Sequence, residues 1–134
     1  MPFFHAFASP LANIIAIRSG VPTYVMRRYD ETVFLHSVAK YQITETGLVP
    51  PVIIKLLSLS EAKRSALGTL QTVWCGGAPL DKITQQRAVK MLADGARISQ
   101  VWGMTECGWI TTFPYPESDD TGSVGRPVLG SEVM

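Results

Sequence analysis

The chain has 134 residues, 46% of them hydrophobic and 17% charged, with a net charge of +1. That length supports one domain with one core and leaves no room for two full domains, and the near-neutral balance excludes the basic surface that nucleic acid or an anionic membrane would require. Cys75 and Cys107 are too few for a disulfide framework and lack metal-ligand spacing, so a reducing, intracellular compartment is the simpler expectation.

Taken in chain order, short β-type runs alternate with helical periods. Phe7 to Ile17 is apolar enough to imitate a signal-peptide core, but it has no basic leader, Pro10 and Asn13 interrupt it, and it is too short to span a bilayer. It reads as a buried helix carrying Leu11, Ile14, Ile15 and Arg18, closed by Gly20. Thr23-Tyr24-Val25-Met26 predicts a short buried strand. Asp30 is a good N-cap for a helix with Val33, Phe34, Val38 and Tyr41 on one face.

Ile43 to Val49 predicts the next strand, interrupted by Gly47. Pro50-Pro51 suits a first helical turn, with Val52, Ile53, Leu56 and Leu57 as the inward stripe. Ser58 to Gly68 is polar and turn-rich. Thr72 to Cys75 predicts a strand running into Gly76-Gly77-Ala78-Pro79, and Asp81 caps a helix with Ile83, Val89 and Leu92 inward. Arg97 to Trp102 is the last clear strand. After Pro114 the composition turns to Pro, Glu, Asp, Ser and Gly, which predicts a loop leading towards a β subdomain. The expectation is an α/β fold: a partial, doubly wound, mostly parallel sheet with helices on both faces over residues 1–113, and residues 114–134 as the loop and the start of the β subdomain.

In such sheets ligands sit at the carboxyl ends of the strands. Two candidate segments fall there, Gly76-Gly77-Ala78-Pro79 and Gly103-Met104-Thr105-Glu106. Thr105 and Glu106 place a hydroxyl beside a carboxylate, a hard-oxygen pair suited to Mg²⁺ and the phosphate it accompanies, and Trp102 offers a flat face for a base. The same stretch also reads as a strand, a turn and a helix start in which Glu106 favours the positive end of the helix dipole. Spacing alone leaves both open.

Five segments in order resemble the adenylate-forming superfamily, in its acyl- and aryl-CoA ligase branch of the 4-coumarate–CoA ligase type. They are Pro2-Phe3-Phe4-His5, Val49-Pro50-Pro51, Gly76-Gly77-Ala78-Pro79-Leu80, Gln100 to Glu106 and Gly122-Ser123-Val124-Gly125. Met104 stands where amino-acid-activating domains usually carry proline, which favours the CoA-ligase branch. Trp102 stands where that family has a tyrosine and Val101 where it has a glycine.

The resemblance implies a two-step reaction: a carboxylic acid and ATP form an acyl-adenylate, and CoA then displaces AMP to give a thioester. By matched position it implies Thr105, Glu106 and His5 as catalytic residues, with Glu106 holding Mg²⁺. Gly76, Gly77, Ala78, Pro79, Gln100, Trp102, Gly103, Met104 and Thr105 would form the ATP/AMP wall. His5, Phe7, Leu11, Trp74 and Gly76 would line the acyl pocket, whose uncharged character points to an aryl or medium-chain acid. His5 also reads as a histidine capping a helix start, and Leu11 as ordinary core.

The family's phosphate loop ending in Pro-Lys and its C-terminal lysine domain have no counterpart in these 134 residues. With the apolar start and end, the expectation is an internal slice of a large N-terminal domain, catalytically incomplete alone, from a cytoplasmic or peroxisomal protein. The rival expectation within the fold is a non-catalytic nucleotide-binding remnant or interaction module. An unrelated doubly wound enzyme is disfavoured, because the chain has no dinucleotide-binding glycine fingerprint, no nucleophile elbow and no Walker-type lysine loop.

Overall fold

The computed structural model describes residues 2–133. Among them, five strands form one sheet in the order β1 (Glu45–Leu48), β2 (Thr72–Gly76), β3 (Arg97–Met104), β4 (Gly108–Thr112) and β5 (Arg126–Pro127). The first three run parallel, with Glu45 opposite Thr72 and Thr72 opposite Arg97. β4 returns antiparallel along β3, and β5 adds antiparallel to β4.

Every residue of β2 is buried, as a central parallel strand with both faces covered should be. Strand alternation then sorts the side chains. Leu48, Val73, Cys75 and Ile98 face the larger core, where they meet Phe34, Leu35 and Val38 of α2 (Glu31–Tyr41), Ile53 and Leu56 of α3 (Pro50–Leu57), and Ala88 of α5 (Lys82–Val89). Ile53, Leu56 and Ile98 are sealed from solvent, and full burial of each such side chain is worth about 1.5–3 kcal/mol. The opposite face carries a smaller cluster of Phe7, Trp74 and Val101, with Leu11 and Trp109 against it. The sheet is thus sandwiched, and the N-terminal segment is its second cover.

Local chemistry explains the helix starts. Asp30 Oδ1 accepts from the Val33 amide at 2.9 Å, and Asp81 Oδ1 accepts from the Thr84 amide at 2.9 Å. Each cap satisfies one of the orphan amides of a first turn. Pro50 and Pro51 open α3 where no amide donor is needed. The segment Ser58 to Gly68 holds one short helix, α4 (Glu61–Arg64), and a tighter turn at Ser65–Leu67.

Four expectations change. Thr23 to Met26 forms no strand: β1 is the outer strand of the sheet, no neighbour pairs with this run, and Val25 is exposed while Tyr24 stacks on Tyr41 at 4.3 Å. β-branched and aromatic residues favour strands only where a neighbour covers them. The N-terminal helical stretch is wide-turned over Pro10–Ile15 and regular in α1 (Ala16–Ser19), and Gly20 closes it at φ 65°. Its Ile14, Ile15 and Ile17 are exposed, so it is a cover held through Phe7 and Leu11 and not a buried helix. In α2 the inward face is Phe34, Leu35 and Val38, leaving Val33 and Tyr41 outside. In α5 Gln85 and Ala88 are buried, whereas Ile83 is exposed.

Candidate functional site

β2 and β3 end side by side, Gly76 opposite Val101, and a cleft of about 220 Å³ opens there. His5, Phe7, Gly77, Gly103, Thr105 and Trp109 are among its lining. Four separate pieces of chain therefore converge: the N-terminal turn, the residue after β2, the end of β3, and the start of β4.

The stretch Thr105 to Cys107 is the turn of a β-hairpin, with Met104 opposite Gly108 and Trp102 opposite Thr111. No helix starts there, which removes the helix-dipole reading of Glu106. One extra residue, Ile110, lies on β4 between those pairs, and this bulge places Gly103 opposite Trp109. The close approach needs a glycine, because a Cβ on Gly103 would sit 2.2 Å from the Gly108 carbonyl oxygen. A second close approach is made at Gly76, where a Cβ would lie 2.8 Å from Cε2 of Phe7. Small residues at both positions let the aromatic floor rise against the strand ends.

That floor is built from three rings. Phe7 stacks on Trp109 at 5.8 Å, Trp109 meets Trp74 at 5.2 Å, and the Trp109 indole N–H donates to the Phe7 carbonyl at 3.1 Å. Trp74 donates to Glu45 Oε1 at 2.6 Å. Leu11 packs beneath with them. His5 is exposed at the rim, and its Nδ1 accepts from the Phe7 amide at 3.2 Å. A neutral His5 then carries its proton on Nε2, leaving one donor free.

The expected nucleotide residues divide in two. Thr105, Gly103, Met104 and Gly77 line the cleft. Ala78, Pro79, Trp102 and Glu106 are exposed and stand outside it. Gln100 explains the division. Its amide donates to the Leu80 carbonyl at 2.8 Å and the Gly122 carbonyl at 2.9 Å, while its oxygen accepts from the Leu80 amide at 2.9 Å. The Gly76–Leu80 turn is thereby drawn to the side of β3 that carries Gln100 and, two residues on, Trp102. With its side chain 2% exposed and every polar atom engaged, Gln100 holds the turns that shape the site. Asp119 organises the Gly122 loop through the amides of Thr121, Gly122 and Ser123.

Trp109 and Gly108 also line the cleft, although no motif in the sequence points to them. The run Gly108-Trp109-Ile110-Thr111-Thr112 carries the aromatic and β-branched signature of a hairpin strand after a short turn, and that pattern is the signal that marks them.

A model of the AMP-binding enzyme family matches residues 1–134. The chain belongs to that family. Among curated members, phenylacetyl-CoA ligase epaB of Aspergillus niger is 52% identical over 98% of this chain and 25% of its own length. The 4-coumarate–CoA ligase-like protein 6 of Oryza sativa is 35% identical over 94% of this chain and 21% of its own length. Among solved structures, ATP-bound MatB from Rhodopseudomonas palustris shares the fold at a TM-score of 0.82, with 22% identity over 97% of this chain and 25% of that one. The chain therefore spans about a quarter of the length of the family members it matches. No helix among the described residues is long and apolar enough to cross a membrane.

Proposed function

We propose that the chain forms one wall of the acyl-adenylate site of an AMP-forming acyl-CoA ligase. The observation that carries this reading is the convergence of Gly77, Thr105, His5 and the Phe7–Trp109 floor on one cleft at the ends of parallel strands. The strand ends separate two surfaces. On the side of Trp102 and the Gly77–Pro79 turn, an exposed aromatic face and small residues receive adenine. On the other, the aromatic floor receives the organic tail of the acid, with the free N–H of His5 near its carboxylate.

In the first step a carboxylate oxygen bonds to the α-phosphorus of ATP, and the P–O bond to pyrophosphate breaks with its electron pair leaving on pyrophosphate. In the second, the sulfur of CoA bonds to the acyl carbon and AMP leaves. Thr105 contributes a hydroxyl donor to the phosphate oxygens, and the protein's task is placement and charge stabilisation. Glu106 and Thr105 fit Mg²⁺ by donor chemistry: both are exposed hard-oxygen groups, suited to an ion that keeps several waters and arrives with phosphates. When bound, Mg²⁺ neutralises phosphate charge.

The floor is aromatic and, among the described residues, His5 is the only titratable side chain on the cleft, which supports a flat aryl acid or a medium-chain acyl tail. Among the described residues, no lysine or arginine lines it. The 134 residues accordingly bind nucleotide and do not turn over, the remaining cationic groups coming from other polypeptide of the whole enzyme. The two unpaired cysteines fit a reducing compartment, cytoplasm or peroxisome.

Calorimetric titration of this chain with ATP and Mg²⁺ tests the wall. Binding is expected to weaken about tenfold in Glu106→Ala, an exposed-turn change that leaves the fold intact, and EDTA should erase the difference. Undetectable nucleotide binding by the folded chain sinks the reading. ATP–pyrophosphate exchange by the chain alone, across a panel of aryl and fatty acids, would overturn the incompleteness.

A further inference from the structure

The N-terminal segment covers one face of the sheet, and little ties it there. Phe7 and Leu11 supply its apolar packing. Among the described residues, a single hydrogen bond crosses from residues 2–21 to the strands: the Trp109 indole N–H donates to the Phe7 carbonyl at 3.1 Å. The other bonds of this segment are internal. The His5 carbonyl accepts from the Ala8 and Ser9 amides at 2.9 Å each, and Asn13 Nδ2 donates to the Phe3 carbonyl at 3.1 Å. They shape the turn without joining it to the sheet.

Phe7 is held in three directions. Its ring is wedged between two glycines: a Cβ on Gly47 of β1 would lie 3.4 Å from Cε1, and one on Gly76 of β2 would lie 2.8 Å from Cε2. Its carbonyl is held by Trp109, and its amide donates to His5 Nδ1 at 3.2 Å. The side chain and the carbonyl take two bonds of the tetrahedral Cα. With both of those fixed, the third bond, to the amide nitrogen, has one direction, and that nitrogen is where His5 docks.

Trp109 lies on β4, just beyond the hairpin turn that carries Thr105, and its ring stacks on Phe7 at 5.8 Å. One residue therefore joins the Thr105 hairpin on one side of the cleft to the His5 turn on the other. Packing alone would keep the Phe7 ring in its slot, but only the indole N–H fixes the rotation of its carbonyl.

We infer that Trp109 is a positioning residue: its indole N–H, acting through the Phe7 main chain, holds the His5 imidazole with Nδ1 occupied and Nε2–H free at the rim of the cleft. The use of that free donor on a substrate carboxylate rests on the function proposed above. The placement itself does not.

The test is the rate at which diethyl pyrocarbonate modifies each histidine of the full chain at pH 8, with no nucleotide or acid present. The reagent acylates the imidazole nitrogen that carries the lone pair and releases carbon dioxide and ethanol. In His5 that nitrogen is Nδ1, engaged by the Phe7 amide, whereas His36 is exposed on α2 and serves as the internal reference. Mass spectrometry of the peptides is expected to show His5 reacting about two- to tenfold more slowly than His36, a range set by the net worth of one neutral hydrogen bond. Trp109→Phe keeps a ring against Phe7 and loses the donor, so His5 should approach the rate of His36 while His36 keeps its own. Where that variant fails to fold, benzothienylalanine at position 109, with sulfur in place of the indole N–H, makes the same comparison in a ring of nearly the same shape. Equal rates for the two histidines in the unaltered chain would overturn the inference. So would a His5 rate unchanged by loss of the donor, or an acceleration shared by His36, which marks general loosening. Failure to bind ATP would remove the use proposed for His5 and leave these rates as they are, so the two readings fail separately.

Discussion

The two halves of β3 make opposite use of one strand. Arg97 to Val101 are all buried, and Trp102 to Met104 are all exposed. The buried half is not apolar: Arg97, Ser99 and Gln100 lie in it, and Gln100 is tied to three segments of chain. Polar residues there act inward, holding turns in place, since a sealed polar atom must find a protein partner. The exposed half has little to hold it except the hairpin to β4, and its groups are free to meet a ligand. One motif, Gln100 to Glu106, straddles the boundary, so its residues divide into buried supports and exposed groups.

The largest expected effect breaks the boundary itself. Gly103→Ala drives a Cβ to 2.2 Å from the Gly108 carbonyl oxygen, so the hairpin must open. A loss of about 3 kcal/mol or more in urea unfolding is expected, with the Trp109 fluorescence shifting towards that of an exposed indole. A stability within error of the parent chain would show that the hairpin is not what places the site.

Gln100→Leu sharpens the distinction between buried supports and exposed groups. It strands the Leu80 amide and the Leu80 and Gly122 carbonyls, and a loss of about 2–3 kcal/mol is expected. Thr105→Ala, in the exposed turn, should stay within about 0.5 kcal/mol of the parent chain in the same unfolding experiment. Equal losses for the two would erase the division.

The smallest effect is on thiol reactivity. Cys75 is buried in the core, and burial pushes its thiol up to about 12, whereas Cys107 is exposed in the hairpin turn. At pH 8 iodoacetamide should modify Cys107 and leave Cys75 until the chain unfolds, as mass spectrometry after partial labelling would show. Equal rates for the two would mean that the β2 core is open.

Most of the frame follows from local chemistry along the chain. Asp30 and Asp81 cap helices as their chemistry requires, and β2 and β3 appear where their apolar runs stand. These signals are local, acting within three or four residues, so a linear reading captures them. The family was equally legible, because its five motifs are strings of neighbouring residues. Which side chains meet depends on the folded arrangement. Thr23 to Met26 is strand-like yet unpaired, and Ile83 is apolar yet exposed. Phe7 reaches Trp109 across 102 positions, and Arg97 lies between the rings of Trp74 and Tyr115. Such contacts depend on strand register and on the bulge in β4, and neither is set by any short stretch of residues.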